Sequence, residues 1–314
     1  ERLETDSLAD RLGVAAGYRR WFEESLCALA RHGLLVREGE TFQLQGEIDV
    51  AATWEEWETR KSEWLDTRLL RAQVRLLAQT LPALCDIVRG TMSATSVMFP
   101  ASSVELVEPA YRDSPVAEHF NNLVADTVEA FVRAQVARDR SARVRILEIG
   151  AGTGGTSEPI FARLKALQSH VDEYRYTDMS RVFLMHAESR YGDAAPYLRC
   201  SLLDVEKPLP EQGIDAGTYD IVIAANVIHA TRDVRRALRH AKQALRENGL
   251  LLLNECIANK LALHLSFGLL DGWWRHEDSG IRLPGSPLLD AQGWRRALET
   301  EGFRTVRFPA ERLQ

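Results

Sequence analysis

Arg143-Val-Arg-Ile-Leu-Glu-Ile-Gly-Ala-Gly-Thr-Gly-Gly-Thr-Ser157 reads as an apolar strand that runs into a glycine turn and then into the start of a helix. Gly150, Gly152, Gly154 and Gly155 remove side chains where a backbone must turn sharply and approach a ligand, and Thr156 is placed to cap the helix that follows. Gly150-x-Gly152-x-x-Gly155 satisfies a dinucleotide fingerprint literally. Glu148, two residues before the first glycine, shifts the balance. An acid there repels a pyrophosphate and suits a ligand bearing positive charge. S-adenosylmethionine carries both an amine and a sulfonium, so a methyl donor is the better reading of this loop.

Downstream of Arg143, short apolar strands alternate with amphipathic helices, the pattern of a doubly wound, mostly parallel α/β sheet. Strands are predicted over 143–149, 174–178, 197–203, 219–226 and 249–254, with a sixth over 303–308; helices are predicted near 156–168, 180–190, 231–246 and 291–301. Upstream, residues 1–45 read as two helices and a hairpin turning at Glu38-Gly39-Glu40, a winged-helix-like unit. Its acids Glu1, Glu4, Asp6, Asp10, Glu23 and Glu24 argue against a phosphate-facing surface, and so against DNA. Helix continues over 52–90, where Trp54, Trp57 and Trp64 share one face and read as core; it breaks near Met98 and resumes over 115–137. The polar run 138–141 places a boundary between an N-terminal helical domain, 1–138, and a sheet domain, 139–314, which carries an apolar insertion over 259–288.

With 314 residues, 45% of them hydrophobic, the chain can bury one large or two ordinary cores. The balance of 39 basic against 45 acidic residues, with no block of like charge, points away from nucleic acid and from anionic membrane surfaces. Cys27, Cys85, Cys200 and Cys256 form no CxxC pair and read as buried thiols in a reducing compartment. No apolar run reaches a membrane span and no leader opens the chain, so a cytosolic protein is expected. Residue 1 is Glu, which suggests a piece of a longer polypeptide.

In a doubly wound sheet, ligands sit beyond the carboxyl ends of the strands. Asp178 closes the second strand, where a carboxylate can accept the ribose hydroxyls of a cofactor or cap the next helix; Ser180 could share that capping. Asp204, after the third, is placed to meet an adenine amino group, unless it is an ordinary loop acid. The fourth strand leads through Asn226 to His229 and the fifth through Asn254 to Glu255. Adjacent strands lie about 4.8 Å apart, so Glu255 can fix one ring nitrogen of His229 and leave the other to act as a general base. A histidine that merely caps or packs is the plainer alternative. The pair alone does not choose between a carbon and an oxygen nucleophile.

The runs Ile146-Leu-Glu-Ile-Gly-Ala-Gly-Thr-Gly-Gly-Thr, Tyr176-Thr-Asp-Met-Ser, Ala224-Ala-Asn-Val-Ile-His-Ala-Thr, Leu252-Leu-Asn-Glu and Phe267-Gly-Leu-Leu-Asp-Gly-Trp-Trp resemble the C-methyltransferase domains of modular polyketide synthases and mixed peptide–polyketide synthases. Val97-Met-Phe-Pro-Ala-Ser-Ser-Val-Glu-Leu-Val is also like that family's lid domain, and the likeness covers nearly the whole chain. The resemblance implies a class I, Rossmann-like methyltransferase core with an N-terminal helical lid domain. It also implies methyl transfer from S-adenosylmethionine to the α-carbon of a β-ketoacyl chain on an acyl carrier protein, with neighbouring synthase domains as partners. Glu148, Gly150, Gly152, Asp178, Asp204 and Asn226 would then hold the cofactor, and His229 with Glu255 would generate the enolate. Tyr111, Trp273 and Trp274 are candidates for substrate contact, as is His264; Asn226 and Asn254 are candidate donors to the thioester or ketone oxygen. The antiparallel strand that normally finishes such a sheet is not supplied. Two alternatives remain: a metal-dependent methyltransferase of a loading module, with His229 and His264 as ligands, and a domain that has lost catalysis.

Overall fold

A computed structural model describes residues 3–309; Glu1, one of the acids weighed against DNA binding, lies outside them. The chain divides into two units. One comprises the residues up to Pro115 with Asn259–Arg275 and Leu283–Pro287, and the other holds Val116–Ala258, His276–Arg282 and the chain from Leu288.

The first unit opens with β1 (Leu3–Glu4), α1 (Thr5–Leu12), α2 (Arg19–Arg31) and the hairpin β2 (Leu35–Glu38) and β3 (Thr41–Leu44), which form an antiparallel sheet in the order β1-β3-β2. This is the expected helix-helix-wing arrangement. Its core gathers Ala9, Trp21, Phe22, Leu26, Phe42 and Ile87, closed by Leu269 from the insertion. Then follow α3 (Val50–Asp66), α4 (Arg68–Val88), α5 (Ala94–Met98) and α6 (Glu108–Arg112). The single helix expected over 52–90 is broken at Thr67, whose ψ of 110° is extended. The tryptophan stripe is not core: α3 has no buried residue, and Trp54 is 42% exposed. Trp57 and Trp64 pack on each other at 5.7 Å instead. The helix lies chiefly along α4, and one neighbour can cover only part of its surface.

The second unit runs α7 (Pro115–Arg138), β4 (Val144–Ile149), α8 (Ser157–Leu164), β5 (Val171–Asp178), α9 (Arg181–Tyr191), β6 (Leu198–Leu202), β7 (Tyr219–Ala225), α10 (Val234–Ala244), β8 (Leu245–Asn254) and, after the short α11 (Leu261–His264) of the first unit, α12 (Ala291–Thr300). The sheet is parallel throughout, in the order β6-β5-β4-β7-β8. Strand periodicity sorts the core: Val144, Ile146, Ile221 and Ile223 face α7, α8 and α9, while Leu147, Ile149, Val222 and Ala224 face α10 and α12. Each fully buried Val, Leu or Ile among these contributes roughly 1.5–3 kcal/mol relative to exposure. The chain order reverses at β4, whose neighbours are β5 and β7, so the carboxyl edge around β4 is the switch point where ligands dock.

Three further expectations change. The units divide after Pro115 rather than at 138–141, because Val124, Ala125, Val128 and Val132 of α7 are buried in the sheet core. The predicted strand over 303–308 is not a strand. Phe303, Val306 and Phe308 do not alternate, so no ladder register buries all three; they pack against the α10–α12 core as coil, with Arg295 donating to the Val306 carbonyl at 3.2 Å. Finally, Cys85 and Cys256 are exposed and Cys27 and Cys200 half-buried, so the thiols are free and none is fully buried. Among the described residues no helix is long and apolar enough to cross a membrane.

Candidate active site

The glycine turn leaves β4 and is tied to β5 by a short network. Ala151 N donates to Thr177 O at 2.8 Å, Gly152 N to Asp178 Oδ2 at 3.0 Å, and the Tyr176 hydroxyl to Gly152 O at 2.8 Å. Gly150 (φ +63°) is obligatory for packing, since a Cβ there would sit 2.5 Å from Val227 Cγ2. The cofactor-type turn therefore abuts the loop that carries His229. Gly152 (φ +57°) differs: a Cβ there would meet nothing nearer than Gly150 O at 4.0 Å, so its missing side chain leaves open space beside the turn. Thr156 stands at the N-cap position of α8 but makes no side-chain cap bond; its hydroxyl donates instead to Asn121 Oδ1 at 2.9 Å.

Glu148 lies on the α8 face of β4 with Val144 and Ile146, 1% exposed. Its Oε2 accepts from Ser157 at 2.5 Å and from Tyr174 at 2.7 Å. Burial pushes its carboxyl up to about 7, against the lowering effect of those two hydroxyls. Asp178 Oδ1 accepts from Ser180 N at 2.7 Å while Oδ2 holds Gly152, so the carboxylate serves the loop and the start of α9 together; Ser180 makes no side-chain cap. Burial also raises the Asp178 carboxyl. Each of its oxygens has a second lone pair, which leaves room for ribose hydroxyls. Asp204 makes local contacts after β6: Oδ1 accepts from Glu206 N at 3.0 Å, and Oδ2 pairs with Lys207 at 3.2 Å.

Beyond β7 and β8 the expected pair is formed. His229 stands on a single 3-10 turn, Ile228–Ala230, and its Nδ1 is bonded to Glu255 Oε2. Glu255 Oε1 accepts from Val227 N at 3.1 Å and Ile228 N at 2.8 Å, so one carboxylate fixes both the ring and the backbone beneath it. The pair is deeply placed, with side chains 9% and 3% exposed. Asn226 enters the turn at φ +55°, its N–H donating to Asn254 O at 2.8 Å, while Asn254 Nδ2 donates to Asn121 Oδ1 at 3.3 Å.

Gly150, Gly152, Asp178, Asn226, His229, Asn254 and Glu255 thus share the carboxyl edge of β5, β4, β7 and β8. The remaining candidates belong to the first unit. His264 is stacked on Trp21 with ring centroids 4.9 Å apart and bonded to Ser25 Oγ at 2.7 Å through Nε2. Trp274 donates to Gly268 O at 2.7 Å, Trp273 is buried, and Tyr111 packs on Phe267. Leu265, Phe267, Leu269 and Leu270 of the insertion fill the cores of that unit. Among the described residues, no three His, Cys, Asp or Glu side chains converge as a metal site would require.

The sequence reading passed over Asn121, which joins Thr156 to Asn254, and Tyr176, whose hydroxyl pins the glycine turn. It also missed Arg282, which holds the carbonyls of His229 and Thr231. An Asn on the apolar face of α7 was the one local signal; the other two differ in no local respect from ordinary strand and loop residues.

Residues 147–251 match the model of a family described as a methyltransferase domain. Polyketide synthase PksM of Bacillus subtilis (strain 168) is 48% identical over 295 residues, which cover 94% of this chain but 7% of PksM, so the chain spans a small fraction of that relative's length. The crystal structure of DszA carbon methyltransferase superposes with a TM-score of 0.92 at 37% identity, covering 98% of this chain and 78% of that one. The CurJ carbon methyltransferase structure gives 0.83 at 30% identity, covering 100% and 82%. With its sheet order, its glycine turn and these likenesses taken together, the chain belongs to the carbon methyltransferase family of polyketide synthases.

Proposed function

We propose that this methyltransferase moves a methyl group from S-adenosylmethionine to the α-carbon of a β-ketoacyl chain carried on an acyl carrier protein, within a cytosolic polyketide synthase. The observation that carries this reading is the His229–Glu255 bond at the edge where the glycine turn abuts the His229 loop. A glycine-lined turn with open space at Gly152 and the Asp178 carboxylate behind it suits a nucleoside with a cationic tail. Gly150, Gly152 and Asp178 would hold the cofactor, with Glu148 beneath the turn and Asp204 and Asn226 flanking it. When bound, it supplies the electrophilic methyl.

The chain's own residues do the acid–base work. Glu255 keeps a proton on Nδ1 of His229, so the α-proton of the acyl chain is taken by Nε2, and the carboxylate stabilises the imidazolium that results. Removing that proton is what creates a carbon nucleophile, and holding it in line with the methyl supplies the rest of the rate. Asn226 and Asn254 stand beside this step as donors to the enolate oxygen. Tyr111, Trp273 and Trp274 remain candidates for contact with the acyl chain, whereas the packing of His264 against Trp21 and Ser25 suits a structural ring.

The test is methyl transfer to acetoacetyl-pantetheine and to the same acyl group on an acyl carrier protein, with the new methyl located by tandem mass spectrometry. The reading expects label on the α-carbon and faster transfer on the carrier. Label on oxygen, or transfer only in the presence of added iron or manganese, would replace it with an O-methyltransferase or a metal-dependent one.

A further inference from the structure

The His229 turn is held from two opposite directions. Its N–H groups at Val227 and Ile228 are taken by Glu255. Its carbonyls are taken by a residue from a distant part of the chain: Arg282 Nη1 donates to His229 O at 2.6 Å and Nη2 to Thr231 O at 2.8 Å. The Arg282 side chain is 1% exposed, and its Nε is paired with Asp278 Oδ1 at 2.5 Å. Asp278 Oδ2 accepts from Val234 N at 2.8 Å, in the first turn of α10. A planar guanidinium presents donors in a fixed fork, so two carbonyls and one carboxylate bound to it are fixed relative to one another. Arg282 and Asp278 therefore tie the histidine turn to the start of α10 as one rigid piece. They come from His276–Arg282, a stretch of the insertion that belongs to the sheet unit.

A buried guanidinium is expensive, and only bonds of good geometry to all its donors offset that cost. Two of the bonds of Arg282 go to the backbone of the His229 turn, and a general base does require a backbone that cannot sway: an error of about 1 Å in placing a reacting group costs on the order of 10²-fold in rate. We propose that Arg282, oriented by Asp278, is a positioning residue for His229, setting where Nε2 stands while Glu255 sets which nitrogen carries the proton. The proposal rests on His229 being the base.

The test compares Arg282→Gln, Arg282→Lys and Asp278→Asn with the parent in three measurements. These are kcat and KM for acetoacetyl-pantetheine, calorimetric affinity for S-adenosylhomocysteine, and enzyme-catalysed exchange of the substrate's α-hydrogens in D2O without a methyl donor. Arg282→Gln is expected to lower kcat and the exchange rate together by roughly 30- to 100-fold, with KM and product affinity within roughly threefold. Arg282→Lys, which keeps the charge but not the fork, recovers part of the loss. In the Glu255→Gln background the Arg282→Gln loss shrinks, because the ring is already loose. Should Arg282→Gln not fold, Asp278→Asn, which leaves the guanidinium in place, is expected to give the same split at a smaller size.

Parental kcat and exchange in whichever of these variants fold, or losses spread equally over kcat, KM and cofactor affinity, overturn the proposal. His229→Ala in the same assays separates the two failures. If it turns over normally, the base assignment falls; if it is dead while the Arg282 variants are normal, only the positioning role does.

Discussion

His229 and His264 are both nearly out of water, at 7% and 3% exposure, yet their ring nitrogens meet different partners. In the sheet unit, Nδ1 of His229 meets a carboxylate that also grips the backbone below it. In the helical unit, His264 meets a tryptophan face and a serine hydroxyl, and burial, assisted by the Arg31 charge, pushes its ring down to about 4. In the proposed mechanism the first arrangement stabilises an imidazolium as it forms; the second keeps the ring neutral at pH 7. Burial alone therefore does not mark a base. The partner on the ring does, and a carboxylate on one nitrogen is what turns a packed imidazole into one that accepts a proton on the other.

The largest expected difference between the two is in turnover. His229→Ala should lower methyl transfer by several powers of ten while product affinity stays within a few fold, whereas His264→Ala should keep the turnover of folded protein and lose stability instead. Equal activities for the two variants in a coupled S-adenosylhomocysteine assay would erase the contrast. Next comes Glu255→Gln, which keeps the shape but not the charge: a loss of roughly 10²–10³-fold in kcat is expected, since the ring then lacks a counter-ion and can carry its proton on the wrong nitrogen. A drop in cofactor affinity rather than in kcat would reassign Glu255 to scaffolding.

The smallest effect is on stability against pH, and there His264 runs against Glu148. The folded His264 binds a proton less readily than the unfolded ring, so its contribution is present above about 6.5 and is lost as pH falls towards about 4, at most about 3 kcal/mol. Glu148 is the reverse. Its folded carboxyl sits near 7, above the ordinary 4.5, so stability falls as pH rises through that window. Urea unfolding between pH 4 and 7 should accordingly show a stronger fall with rising pH in His264→Gln, and a stronger rise in Glu148→Gln, than the parent does. Identical pH slopes in all three proteins would show that neither group is held in the state described.

The sheet was legible because its strands are short, apolar and bounded by glycine or polar residues, and because an acid-then-glycine turn after the first of them is a local pattern. The histidine pair was legible for a related reason: both members follow directly from strand ends, and adjacent strands fix how far apart strand ends lie. Glu148 was only half-read. Its position two residues before Gly150 pointed to a ligand, but its even place in the strand, shared with Val144 and Ile146, turns it beneath α8 to Ser157 and Tyr174. The tryptophans of α3 misled because helical spacing reveals a shared face but not whether a neighbour covers it. The strand expected over 303–308 misled because apolar content was counted without its period.

The sequence by itself determined the five strands of the parallel sheet, the glycine turn, and which acid and which histidine leave adjacent strands. These are properties of residues close together along the chain. Only the tertiary structure decided that Arg282 and Asp278 grip the His229 turn, that Asn121 bridges Thr156 and Asn254, and that His264 is a packed ring. Each of those depends on residues far apart in the chain, whose meeting is set by how whole faces bury, and no local pattern of charge or hydropathy encodes it.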